Sequence, residues 1–158
     1  MTVSGGVLVA GIGNLFLGDD GFGPEVVRRL AERTDCPDHV RIVDYGIRGL
    51  HLAYDLLDGW DALVLVDTLP GPGEPGDITV LRVGKDDLGS GDVDPHGMAP
   101  VAVLAGLDQL GGTLPPTYVV GTRPLSVEEG IELSAPIEAA VAEGADVVLR
   151  LLAELEVA

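Results

Sequence analysis

The stretch Val7-Leu-Val-Ala-Gly-Ile-Gly-Asn14-Leu-Phe-Leu-Gly-Asp19-Asp20-Gly-Phe-Gly-Pro24 constrains this chain more than any other. Four apolar residues run into Gly11 with no polar alternation, the pattern of a strand buried on both faces inside a parallel sheet. Gly11 and Gly13 let the backbone turn sharply and be approached closely. Asp19 and Asp20 then precede Pro24, Glu25 and the periodic run Val26, Val27, Leu30. That order predicts a helix over 21–34 with an acid of the pair as its N-cap. The unit is a strand, a glycine turn and a helix, with two carboxylates where the strand ends.

A glycine turn between strand and helix raises the question of a nucleotide. The dinucleotide fingerprint G-x-G-x-x-G requires glycine at its sixth position, where this chain has Phe16. The phosphate-loop pattern G-x-x-x-x-G-K-[ST] is absent from the sequence. An acidic pair at the helix start would repel the pyrophosphate that such a turn normally attracts. Capping could account for both acids. One cap suffices, however, which leaves the second carboxylate for chemistry.

Further along, Val40–Val43 reads as a second strand closing on Asp44-Tyr45-Gly46, and Leu50, Ala53, Tyr54 and Leu57 mark a second helix over 49–57. Ala62–Val66 is another wholly apolar strand, ending in Asp67. Strand, helix, strand, helix, strand is the doubly wound pattern. The rhythm breaks at 68–76, where three glycines and three prolines leave no room for a helix. A parallel crossover needs about a dozen residues, so the next strand, 78–83, is expected antiparallel at a sheet edge. A loop over 84–97 carries Pro95-His96, a helix follows over 98–110, and Tyr118–Gly121 is a buried strand. Ser134 opens a last helix with Ile137, Val141, Val148, Leu152 and Leu155 as its apolar stripe. The expectation is a single α/β domain over 1–158, a mostly parallel twisted sheet of about five strands flanked by helices.

Composition narrows the function. With 26 acids against 9 bases the formal charge is −17, which disfavours nucleic acid and anionic membrane as partners and favours cations or basic surfaces. The single Cys36 permits no internal disulfide. Together with the lack of a signal-like start or a long apolar run, it implies a cytoplasmic setting.

In a doubly wound sheet ligands sit beyond the carboxyl ends of the strands. Asp19 and Asp20, Asp67 and His96 are the groups that can reach that edge. A 14-residue loop spans up to about 46 Å, enough to run back past a strand of roughly 23 Å. Carboxylates with an imidazole form a mixed N/O set suited to a borderline divalent ion. H-E-x-x-H and G-x-S-x-G are absent. Cys36, on an acidic turn, is a poor thiolate. Singly, Asp67 could end a strand on backbone amides and His96 could be a solvated loop residue; His39 and His51 are assigned no role.

Taken in order, these residues resemble the [NiFe]-hydrogenase maturation endopeptidases. The likeness is carried by G-I-G-N-x-x-x-x-D-D-G-x-G-P at Gly11 to Pro24, D-x-G-x-x-G at Asp44 to Gly49, the apolar strand ending in Asp67, Pro95-His96, Gly121, and Gly130 with Leu133-Ser134. It implies a doubly wound peptidase that removes a short C-terminal peptide from a nickel-loaded hydrogenase large-subunit precursor. Asp20, Asp67 and His96 would then be the metal contacts and catalytic residues, with Asp44 and Gly46 facing the substrate. Tyr45 stands where some members carry glycine. Nickel would arrive with the precursor, and no organic cofactor is implied. Either a metal-bound water attacks the scissile carbonyl, or the ion tethers substrate to enzyme and cleavage depends on positioning; the resemblance favours the latter. Two other readings stay open: a nucleotide-binding Rossmann-like enzyme with Asp44 on a ribose, and a non-catalytic nickel-checking chaperone of the same fold.

Overall fold

Strands β1 (Val7–Ile12) and β3 (Ala62–Thr68) are buried almost throughout, as continuous apolar runs require. They form the centre of one sheet with β2 (Val40–Gly46), β4 (Ile78–Val83) and β5 (Thr117–Thr122), in the order β2-β1-β3-β5-β4. All neighbouring pairs are parallel except β4 with β5. The antiparallel edge strand expected over 78–83 is therefore present. The computed structural model describes residues 6–33, 39–47, 49–69, 73–83, 107 and 110–157. The expected loop over 84–97, with His96, lies outside the described residues; so do Cys36 and most of the expected helix over 98–110.

Helices cover both faces. Helix α1 (Phe22–Ala31) and α3 (Ala135–Val157) pack on the side lined by Val7, Val9, Val64, Val66 and Val120. On the opposite face, Leu52 and Leu56 of α2 (Gly49–Leu56) meet Leu8, Ala10, Leu63 and Leu65. Phe22, Leu30 and Ile137 are fully enclosed, and each such side chain contributes roughly 1.5–3 kcal/mol of transfer free energy. Among the described residues no helix is long and apolar enough to cross a membrane.

Two expectations about α1 are corrected. A 3-10 turn, Gly18–Gly21, precedes it, and its N-cap is Gly21, with no side-chain cap bond. Neither acid caps it, because their oxygens are engaged elsewhere: Asp19 with residues 125–134 and Asp20 with Asn14 and Thr68. The helix also ends at Ala31 rather than near residue 34. The Glu32 and Arg33 amides reach back only three residues, to the Arg29 and Leu30 carbonyls, a tightening that closes a helix.

Close approach, more than turning, explains the glycines. A Cβ on Gly23 would lie 2.3 Å from both the Ile12 and Val66 carbonyl oxygens. Gly13, at φ +151°, would put one 1.9 Å from the Asp20 carbonyl oxygen. Both therefore let the start of α1 sit directly on β1 and β3.

Candidate active site

From β1 the chain leaves toward β2 on one side, while β3 lies on the other, so the strand order reverses between β1 and β3. Such a switch point opens a crevice at the carboxyl ends of the strands. Asp20 follows β1 and Asp67 sits near the end of β3. The fold thus delivers both acids to one crevice.

Among the described residues, two groups hold Asp20. The Asn14 N–H donates to Oδ2 at 2.8 Å and the Thr68 hydroxyl to Oδ1 at 3.1 Å. The Asn14 side chain accepts the Phe16 N–H at 2.9 Å, holding the turn that positions its own amide. Asp67 is 8% exposed, with Oδ1 accepting the Thr68 N–H at 2.7 Å. Burial, and next the charge of Asp20, push the Asp67 carboxyl well above the ordinary carboxylate range, against the opposing pull of Thr68. Two carboxylates that repel across a partly dry crevice form a donor set that a cation would satisfy. His96 lies outside the described residues, among which no three metal-binding side chains cluster.

Asp19 points the other way. It is 1% exposed, and its carboxylate accepts the N–H groups of Leu125, Ser126 and Ser134 and the Ser134 hydroxyl, all between 2.7 and 2.9 Å. Burial alone would raise this carboxyl; the four hydrogen bonds outweigh it and hold the acid below its usual value. Ser134 opens α3 through its carbonyl, which accepts from Ile137 and Glu138, while its hydroxyl serves Asp19. The adjacent acids therefore divide: Asp19 ties a distant loop to the sheet edge, and Asp20 faces the crevice.

Asp44 and Gly46 lie at the neighbouring strand end. Asp44 Oδ1 accepts the Gly46 N–H at 2.9 Å, and the Gly46 carbonyl accepts the Gly13 N–H at 3.0 Å. The glycine turn after β1 and the end of β2 are thereby joined. The register slips here, with Gly11 opposite Asp44 and Ile12 opposite Gly46. Tyr45, in the bulge, turns inward and donates to Asp55 Oδ2 at 2.6 Å. It is buried and presents no side chain to the crevice.

Sequence reasoning missed Thr68, which touches both acids of the crevice. Its only signal was position: it follows Asp67 and ends the central strand. The nucleotide reading weakens further here, because Gly13 and Gly23 accommodate the chain's own carbonyls and Phe16 stands exposed where a third glycine would be required.

Residues 24–151 match the family model of the hydrogenase maturation proteases. The chain belongs to that family. It is 31% identical over 150 residues to the hydrogenase 2 maturation protease of Escherichia coli K12, covering 94% of this chain and 91% of the relative. It is 32% identical over 153 residues to the hydrogenase expression/formation protein HupD of Bradyrhizobium diazoefficiens, covering 94% and 78%. The solved hydrogenase maturating endopeptidase HybD of E. coli superposes with a TM-score of 0.81 at 30% identity, over 94% of this chain and 93% of that one. The maturation protease HycI of Thermococcus kodakarensis superposes at 0.74 and 27% identity, over 94% and 92%. The chain is accordingly an endopeptidase, a hydrolase of peptide bonds.

Proposed function

We propose that this protease removes a short C-terminal peptide from the large-subunit precursor of a [NiFe]-hydrogenase, and that the precursor's own nickel is what Asp20 and Asp67 engage. The observation carrying this is the convergence of the two acids on one crevice, with Asp67 forced far above the ordinary carboxylate range by burial and by Asp20. A divalent ion relieves that conflict, and carboxylate oxygens are suitable donors for it. His96 supplies the imidazole of the set, and Asp44 and Gly46 border the substrate's path.

This chain's residues position rather than attack. Thr68 and the Asn14 amide aim Asp20, and the Thr68 amide aims Asp67. A substrate whose ion is completed by these groups has its scissile bond held at one place beside the sheet edge, where restricted motion lowers the barrier. The test is intact-mass measurement of purified precursor before and after incubation with the enzyme. Loss of a single C-terminal peptide is the expected result; an unchanged mass with nickel-loaded precursor would refute the assignment.

A further inference from the structure

Two loops at the crevice are sewn together by their backbones. The Gly18 N–H donates to the Gly130 carbonyl at 2.8 Å, the Gly130 N–H to the Phe16 carbonyl at 2.8 Å, and the Asp19 N–H to the Ser126 carbonyl at 2.9 Å. With the Asp19 carboxylate gripping residues 125, 126 and 134 from beneath, the two loops form one continuous rim. Five of its outward side chains are large and apolar. Phe16 is 68% and Ile131 78% exposed, and Leu15, Leu125 and Val127 are exposed with them. So much exposed apolar surface on one pair of joined loops marks an interaction site more often than chance.

The rim is not neutral. Glu128, Glu129 and Glu132 interrupt its apolar residues and are exposed. A groove of about 400 Å³ runs beneath it between Leu15 and Ile131, bordered by Glu25 and Glu138. Arg28 beside it is already paired with Glu25 at 2.7 Å. An apolar surface set among the exposed acids Glu128, Glu129 and Glu132 complements an apolar segment carrying lysine or arginine. The rim is also mechanically joined to the crevice: Leu15, Phe16 and Leu17 lie between Asn14, whose amide holds Asp20, and Asp20 itself.

We propose that this rim is the docking surface for the precursor, taking an apolar stretch flanked by basic residues. The inference rests on the protease reading above and names the part of the substrate that the crevice does not hold. Phe16 and Ile131 are its apolar anchors, and the three glutamates set its register and steer the approach.

The experiment is steady-state cleavage of nickel-loaded precursor by wild type, Phe16→Ser, Ile131→Ser and the triple variant Glu128→Gln/Glu129→Gln/Glu132→Gln. Val80→Ser, on the exposed edge strand β4, is the control, and thermal melts accompany each protein. Loss of a buried anchor predicts a KM raised about ten- to a hundredfold, with kcat and melting midpoint near wild type. The triple variant should lose the salt dependence of KM. KM values equal to wild type in both anchor variants would overturn the rim while leaving the protease reading intact. A wild type that neither binds nor cuts the precursor would overturn both. A concentration-dependent dimer of this chain, abolished by the same serine substitutions, would also overturn the proposal, because the rim would then serve self-association.

Discussion

Thr68 stands 48 positions after Asp20, yet its hydroxyl donates to Asp20 Oδ1 at 3.1 Å while its amide donates to Asp67 Oδ1 at 2.7 Å. One residue at the end of a central strand therefore orients both acids of the crevice. Removing only the hydroxyl tests that role. Thr68→Val keeps the amide bond and the β-branched shape but removes the hydroxyl that Asp20 accepts from, while the Asn14 amide still holds it. Processing should fall about tenfold or more, as expected when a positioned group is misplaced. The melting midpoint should change little; cleavage assays and thermal melts on the same preparation check both.

The paired acids should separate cleanly by substitution. Asp19→Ala strands four buried or half-buried donors, at a cost of about 2–4 kcal/mol, more than the roughly 1 kcal/mol of a lost helix cap. Because hydrogen bonding holds Asp19 below its ordinary value of 3.8, its contribution is complete above that pH. It disappears as the pH falls through the lower folded value. Asp20→Asn should instead leave the midpoint within about 2 °C, a fraction of 1 kcal/mol for a chain of this size, and abolish processing. Melts from pH 2 to 7 with parallel cleavage assays decide it; a large midpoint loss in Asp20→Asn would reverse the assignment.

Asp67 has the opposite sign. Burial and Asp20 raise its carboxyl well above 3.8, so the folded protein keeps a proton that the unfolded chain has released. Stability must then fall as the pH rises from 3.8 toward the raised folded value. Asp67→Asn keeps an acceptor for the Thr68 amide and removes the conflict. The variant should melt above wild type at pH 7 without added metal and be inactive. Identical pH dependence in the two proteins would show that Asp67 carries no such penalty.

Gly23→Ala probes the close approach of α1 to the sheet. The added Cβ would meet two strand carbonyls at 2.3 Å, backbone that cannot swing aside. A loss of about 3 kcal/mol is expected, and because α1 follows the turn bearing Asp20, activity at permissive temperature should fall too. Denaturant unfolding beside a cleavage assay measures both.

The central place of β1 and the edge position of β4 were legible because burial patterning and crossover length are local properties of the chain. Continuous apolar runs place β1 and β3 in the centre, and the glycine- and proline-rich stretch at 68–76 excludes a parallel crossover. The division of labour between Asp19 and Asp20 was legible only as a number, one acid more than a cap requires. What each acid touches depends on residues far away: Ser134 lies 115 positions from Asp19. Local propensity suggested a helix cap because such a cap is the cheapest nearby use of an aspartate. The folded chain offers Asp19 four donors from another loop instead. Tyr45 was similarly opaque, since only the register slip between β1 and β2 turns it inward to Asp55.

The central claim is that Asp20 and Asp67 act on an ion that the precursor brings. Precursor prepared with and without nickel, incubated with wild type, Asp20→Asn and His96→Ala and read by intact mass, tests it most directly. The account predicts loss of the C-terminal peptide only for nickel-loaded precursor with wild-type enzyme. Equal cleavage of the nickel-free precursor, or full activity in either variant, would contradict it.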